Sequence, residues 1–447
     1  MTTLIAFIVV LGILVFIHEL GHFLVAKKVG VAVEKFSLGF GPKIFGFVKG
    51  GTEYCVSIIP LGGYVKMKGE EHEGEEVTGD PREYGSRSIK ERAGIVVAGP
   101  VMNLLLAVFL SPLPFLLGME VPSYLFQSAK IGWVASEGAA AKVGIQPGDE
   151  IIEIDGKSVD TWKKVQRAWL SDSDLQIALK VRRAGEVLSF TLSVEEGMDG
   201  MRSFGGIRPS LDPIVGDVDP HLPAARAGIL SGDRILSVGG IPIVHWDQLT
   251  QQIRSKKDEP LLIEVERQGE KFSFTVTPQW NEEFQIPQIG ISVAQETRVY
   301  RESFFSSLRS GIERTVDLTG LTLVILGKLV TGNLSIKALG GPILIAQASG
   351  EAARQGLAEL IAFMAFLSLQ LGVLNLLPIP ALDGGHLLFV AIEAIRRKPL
   401  SLRMRAIASQ VGFFVLIVFV LIVSYHDLMR LAGIRDFFER LIHFFKK

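Results

Sequence analysis

Four stretches of this chain stay apolar long enough to cross the hydrocarbon core of a bilayer, a distance that takes about 20 helical residues. They run roughly over 4–26, 93–118, 358–382 and 408–425. The third ends at Pro378 and Pro380 and reads as a span with an unwound end, because each proline removes a backbone donor. A further apolar run, 319–330, is short and contains Lys328, so it reads as a helix lying on a surface. Between the first two spans, 31–68 alternates apolar residues with glycines, the pattern of short strands and hairpins. Within it, Phe36 to Phe47 are placed to dip into the membrane interface. The tail 431–447 sets Ile434, Phe437, Phe438, Leu441, Ile442 and Phe445 on one helical face, an amphipathic helix for a membrane surface or for packing on the protein's own surface.

The segment between the second and third spans is polar and contains a repeat. Residues 138–162 align without gaps on 222–246. Ala140, Gly144, Ile145, Gly148, Asp149, Ile151, Gly156 and Trp162 match Ala224, Gly228, Ile229, Gly232, Asp233, Ile235, Gly240 and Trp246. The offset from Gly144 to Gly228 is 84 residues, one small domain per copy. In each copy a small-residue helix ends at glycine and a Gly-Asp turn opens an alternating strand. The pattern resembles PDZ domains of the bacterial protease type, over 119–205 and 206–296. That resemblance implies grooves that take an extended peptide as an added strand. The remaining organisation is spans one and two with the β region at 1–118, interfacial or tether helices at 297–357, spans three and four at 358–430, and the terminal helix at 431–447. The fold class is thus a polytopic α-helical membrane protein with a membrane-associated β region and two tandem PDZ-like domains.

Lysine and arginine near the span ends set the orientation. Lys27 and Lys28 follow the first span, Lys90 and Arg92 precede the second, and Arg396, Arg397, Lys398, Arg403 and Arg405 precede the fourth. These positions read as cytoplasmic, which puts both termini and 119–357 outside. A net charge of −1 over 447 residues and the lack of a basic stripe give no reason to expect nucleic acid. The one cysteine, Cys55, excludes an intrachain disulfide, and no neighbouring histidine supports it as a nucleophile.

The first span carries His18-Glu19-Leu20-Gly21-His22. On a helix, residues four apart share a face, so both imidazoles can grip one metal ion, with Glu19 placed as a proton acceptor. Three ionisable residues inside an apolar span cost roughly 2–3 kcal/mol per central charge, which argues for a functional site. Two histidines leave a catalytic zinc one protein ligand short. Asp383, at the inner end of the third span, is the best candidate for the third, since the topology brings it to the depth of His18 and His22. His386 is the alternative. Asn375 could hydrogen-bond a substrate backbone, or contact another helix. Asn103 could face the site or pack between helices.

Taken together, the HELGH, GFGP, AGPVMN and NLLPIPALDGG motifs, with the two repeats in order, resemble the site-2 proteases, intramembrane zinc metalloproteases, over nearly the whole chain. The resemblance implies Zn2+ held by His18, His22 and Asp383, with Glu19 as catalytic base. It implies that Asn375, Pro378 and Pro380 accommodate substrate. It further implies a monomeric multi-pass enzyme of a bacterial inner membrane, acting in a sigma-E stress response. Its partners would be the lipid bilayer and single-span membrane proteins, chiefly an anti-sigma factor already trimmed by another protease, and remnant signal peptides. The PDZ pair would screen substrates. Gln370 departs from relatives with asparagine there. The competing reading is a non-catalytic PDZ membrane scaffold, which would carry no stoichiometric zinc. A metal transporter fits less well, since four spans without an inverted repeat offer no alternating access.

Overall fold

A computed structural model describes residues 2–69, 79–171, 176–193, 205–281, 286–332, 334, 339–398 and 400–430. The expected terminal helix at 431–447 lies outside these residues. The chain divides into two compact units, one built mainly from residues up to 119 and from 300 onward, the other from 120–299.

In the first unit, helix α1 (Thr2–Lys28) carries the first apolar stretch. The second stretch is divided. Helix α2 (Ile89–Leu110) ends at Ser111-Pro112, and a short helix α3 (Leu113–Leu117) follows, the two together forming one candidate span over Ile89–Leu117. The start of α2 is fixed by a capping box. Ser88 Oγ accepts from the Glu91 amide at 3.3 Å, and the Ser88 amide donates to Glu91 Oε2 at 2.9 Å. The two helices lie close because Gly21 faces the Ala98 backbone, where a side chain would collide.

Strands β1 (Val33–Lys49) and β2 (Thr52–Met67) form the β region between α1 and α2. Both double back. Phe36 and Leu38 pair with Tyr54 and Val56 on one side and with Val65 and Gly63 on the other, while Phe45 and Phe47 pair with Val56 and Tyr54. The run 63–67 is therefore an outer strand of this sheet among the described residues. Phe36 is buried, whereas Ile44, Phe45, Phe47 and Val48 stand exposed at the far end.

After the second unit the chain returns as helices α8 (Phe304–Val330), α9 (Pro342–Gln355), α10 (Leu357–Asn375), α11 (Asp383–Arg396) and α12 (Leu402–Arg430). Helices α1, α2 with α3, α10 and α12 are long and apolar enough to cross a membrane, so the chain is a polytopic membrane protein. The run 319–330 is not a separate short helix. It is the end of the 27-residue α8, which packs on α2, α3 and α10. Thr315 Oγ1 donates to Ser111 Oγ at 2.9 Å across that contact. The third span unwinds after Asn375, and 376–382 turns back before α11 starts at Asp383. Gly384 and Gly385 lie against the backbone of Leu376, Leu377 and Ile379, so closely that a Cβ would not fit. Val10 and Leu14 of α1, Leu110 of α2, and Met364 and Ala365 of α10 form the core of this bundle.

The second unit holds two lobes of like construction. In the first, strands Lys157–Ser158, Glu150–Ile154, Gln176–Arg183 and Glu186–Ser193 lie side by side in that order, with helices α4 (Ala139–Lys142) and α5 (Trp162–Ser171). In the second the order is Ile241–Pro242, Arg234–Val238, Leu261–Arg267 and Glu270–Val276, with α6 (Pro223–Ala227) and α7 (Trp246–Arg254). Each lobe has its own apolar core, centred on Trp169, Ile151 and Leu179 in the first and on Ile235, Leu249 and Ile263 in the second. The boundary expected between 205 and 206 moves later. Ile207 pairs with Val134 and is buried in the first core, so that lobe keeps the strand Ile207–Arg208. The lobes also share a buried ion pair. Asp149 accepts from Arg183 Nε at 2.6 Å and Nη2 at 2.7 Å, and from the Gln146 amide at 2.9 Å. Asp233 accepts from Arg267 Nε at 2.6 Å and Nη2 at 2.7 Å, and from the Leu230 amide at 2.9 Å. Burial pushes both carboxyls up, but the guanidinium and amide donors outweigh it and hold them below the ordinary aspartate range.

Candidate active site

Helical spacing puts His18 and His22 on the same side of α1, with ring centroids 4.8 Å apart. Asp383, the first residue of α11, meets them. Its Oδ2 lies 3.1 Å from His18 Nε2 and its Oδ1 lies 3.5 Å from His22 Nε2. The two Nε2 atoms are 3.2 Å apart. The imidazoles are 12% exposed and the carboxylate 20%. Among the described residues, these three side chains form the one cluster that could hold a metal ion.

The donor set fits zinc. Tetrahedral ligands at about 2.0–2.1 Å from an ion lie about 3.4 Å from one another, close to the observed separations. Helix α2 supports the same conclusion from behind. Ile95, Gly99 and Asn103 recur every fourth residue and so share one face. The Ile95 carbonyl accepts from His22 Nδ1 at 2.8 Å, which leaves the His22 Nε2 lone pair free to bind a cation. Gly99 passes directly over both imidazoles, where a Cβ would strike them. The Asn103 side-chain amide lies 3.3 Å from His18 Nδ1.

These groups open on a cavity of about 940 Å³ lined by His18, Glu19, His22 and Asp383 together with residues of β2, α2, α11 and α12. Tyr64, Val65 and Met67 bring the outer strand to its wall, and Gly63 lies against the Glu19 side chain. A buried charge cluster occupies another part of the wall. Arg92 of α2 donates from Nη1 to Glu393 Oε2 of α11 at 3.0 Å, and Arg405 of α12 donates to the same oxygen at 3.2 Å.

Of the sequence candidates, His18, Glu19, His22 and Asp383 come together. His386 lines the cavity but stays outside the three-ligand cluster. Asn375 ends α10, and Pro378 and Pro380 belong to the turn after it; none of the three lines the cavity. Gln370 points elsewhere and donates from Nε2 to Thr322 Oγ1 of α8 at 2.8 Å. Sequence reasoning passed over Ile95, Gly99 and Glu393 as contributors to the site, and used Arg92 only for orientation. The four-residue spacing of Ile95, Gly99 and Asn103 was the available signal for the α2 face.

The sequence model of peptidase family M50 matches residues 6–419. The regulator of sigma-E protease RseP of Salmonella typhimurium is 36% identical over 448 residues, covering 95% of this chain and 98% of its own length. Its Escherichia coli counterpart is 35% identical with the same coverage. A Pasteurella multocida protein named as a zinc metalloprotease candidate is 34% identical, over 95% of this chain and 98% of its own.

Proposed function

Because this chain belongs to peptidase family M50, the site-2 protease type, and is a zinc metalloprotease, we propose that it cuts peptide bonds inside the membrane-spanning segments of single-span proteins. The observation that carries this reading is the meeting of His18, His22 and Asp383 beside Glu19 in a cavity among apolar helices. A zinc ion held by those three side chains would supply Lewis acidity toward the scissile carbonyl.

The chain's own residues supply the rest. Glu19 takes a proton from the attacking water and delivers one to the leaving amine. A transmembrane helix hides its carbonyls in its own hydrogen bonds, so substrate must unwind before it is cut. Strand 63–67, an outer strand of the β region at the cavity wall, is where the unwound segment lies extended. Asn375 and the turn at Pro378 and Pro380 admit substrate beside the cavity. They are broken backbone at membrane depth, which is tolerated where it is buried in protein or lines a watery space. The exposed apolar end of the β region, Ile44 to Val48, sits in lipid.

By their resemblance, the two lobes of 120–299 are PDZ domains that screen substrates in the periplasm, with the active site towards the cytoplasmic side of an inner membrane. The relatives' name, regulator of sigma-E protease, supports an anti-sigma factor as the main substrate, with remnant signal peptides as a second class.

The test is cleavage of a reconstituted single-span substrate. Glu19→Gln is expected to keep zinc and lose cleavage. Near-normal cleavage by Glu19→Gln removes it from the mechanism. A protein purified without stoichiometric zinc is instead the scaffold, and His22→Phe would then leave partner binding intact.

A further inference from the structure

Asn103 is 1% exposed, and its backbone carbonyl is engaged by Ser368 Oγ at 2.7 Å. Among the described residues, its side-chain amide meets His18 Nδ1 at 3.3 Å. As oriented, the nitrogen Nδ2 faces the ring, and the buried oxygen Oδ1 has no hydrogen-bond partner among the described residues. Either orientation of the amide sets only one of its two polar atoms against His18, so the hydrogen-bond count alone does not choose between them.

The chemistry of His18 chooses. If Nδ2 donated to Nδ1, the ring would carry its proton on Nε2, the atom that faces Asp383 and His22 Nε2. That tautomer has no lone pair on Nε2 to give a metal. Rotating the amide by 180° exchanges its O and N. Oδ1 then accepts from Nδ1–H, and the Nε2 lone pair is directed at the other two donors. His22 already shows this arrangement, donating from Nδ1 to the Ile95 carbonyl. Asn103 lies eight residues after Ile95 on the same face of α2, as His18 lies four before His22 on α1.

We propose that Asn103 is a positioning residue whose side-chain oxygen accepts the Nδ1 proton of His18 and so sets the tautomer that binds the metal. This rests on the zinc reading above. Helix α2 then serves both imidazoles, one through a backbone carbonyl and the other through a side chain, with Gly99 between them for clearance. Such outer partners commonly govern metal affinity by 10–100-fold.

The experiment measures zinc retention by the purified full chain in detergent under graded chelator, with thermal melting of the zinc-free proteins as a control. Asn103→Leu, close in size but without an acceptor, is expected to lose zinc at 10–100-fold lower chelator concentration than wild type. Asn103→Asp, which keeps the acceptor and cannot donate, is expected to retain zinc within a few-fold of wild type. Zinc-free melting should not distinguish Asn103→Leu from wild type in proportion to its metal loss. The proposal is overturned if Asn103→Leu holds zinc like wild type, or if Asn103→Asp releases it as readily as Asn103→Leu. Should neither variant fold, nitrogen NMR of zinc-free wild type labelled at histidine decides. A His18 signal protonated at Nδ1 supports the proposal, and one protonated at Nε2 overturns it. Wild type that never binds zinc sinks the metalloprotease reading itself, a separate outcome.

Discussion

Replacing Gly99 by alanine adds one methyl group to the centre of α2 and sets two effects of opposite sign against each other. On helix propensity alone, glycine to alanine in a helix interior stabilises by about 1 kcal/mol. Sterically, the new Cβ would sit 2.6 Å from His22 Cε1 and 2.8 Å from His18 Cε1, with His22 Nε2 nearer still. Carbon contacts settle at about 3.5–4.0 Å, so roughly 1 Å of room must be found. Neither helix can yield freely. His22 is held to the Ile95 carbonyl at 2.8 Å, and Gly21 of α1 already lies against Ala98 of α2. The overpacking cost of about 1–3 kcal/mol roughly offsets the propensity gain, so the protein should still fold. The imidazoles, the smallest movable groups, take up the shift and leave the ligand geometry. A displacement of about 1 Å at a catalytic centre costs around 100-fold in rate. Expected for Gly99→Ala is a melting temperature close to wild type, cleavage of a single-span substrate reduced about 100-fold, and zinc lost at lower chelator concentration. Wild-type cleavage with full zinc would refute the close passage of α2 over the ligands.

Two further outcomes follow from the buried ion pairs. Asp233→Asn removes the carboxylate from the Arg267 fork. Breaking a buried pair costs about 3–5 kcal/mol, discounted here to about 2 because Arg267 is 26% exposed. The folded-state pKa of Asp233 lies below its unfolded value, so the pair's contribution is present above about pH 4 and fades as pH falls through the folded value. Hydrogen exchange of strands 261–267 and 270–276 should therefore be faster in the variant at pH 7, and the difference should shrink in acid; a difference independent of pH would contradict the assignment. Glu393→Gln leaves Arg92 and Arg405 facing each other in a buried place and should lower stability by about 3 kcal/mol, read as a fall in melting temperature. Replacing Arg92 and Glu393 together by Met and Leu should recover part of that loss; no recovery would mean the charges are not the source.

What could be read from the sequence was the chemistry carried at short spacing. His18, Glu19 and His22 fall within one turn and a half of helix, and a carboxylate beside two glycines announces Asp383. Spans and repeats were legible for the same reason, because apolar runs and an 84-residue offset are properties of the chain read in order. The repeat was read only as far as Trp246. The structure extends it to Arg183 and Arg267, which keep the same offset and close the same ion pair on Asp149 and Asp233. Arginine in an alternating strand gave no sign of its partner. The same holds for Arg92 and Glu393, which are 301 residues apart and acquire meaning only when α2 and α11 pack.

The face of α2 was hidden for a different reason. Its three contributions are a backbone carbonyl, a missing side chain and an amide, and only the amide is visible as a chemical group in sequence. Ile95 reads as core and Gly99 as a helix weakness. Their common face acquires a function only once α1 is laid across them, with Ile95 at His22, Asn103 at His18 and Gly99 between. Ile95 and Asn103, eight residues apart on α2, each reach one imidazole of α1, and the two rings stand nearly perpendicular at 81°. The α2 spacing is therefore a constraint in its own right. Moving the acceptor from Asn103 to the neighbouring Met102 or Leu104 turns it away from His18 by about 100°. An Asn103→Leu chain given asparagine at either neighbour should remain as weak in zinc retention as Asn103→Leu alone.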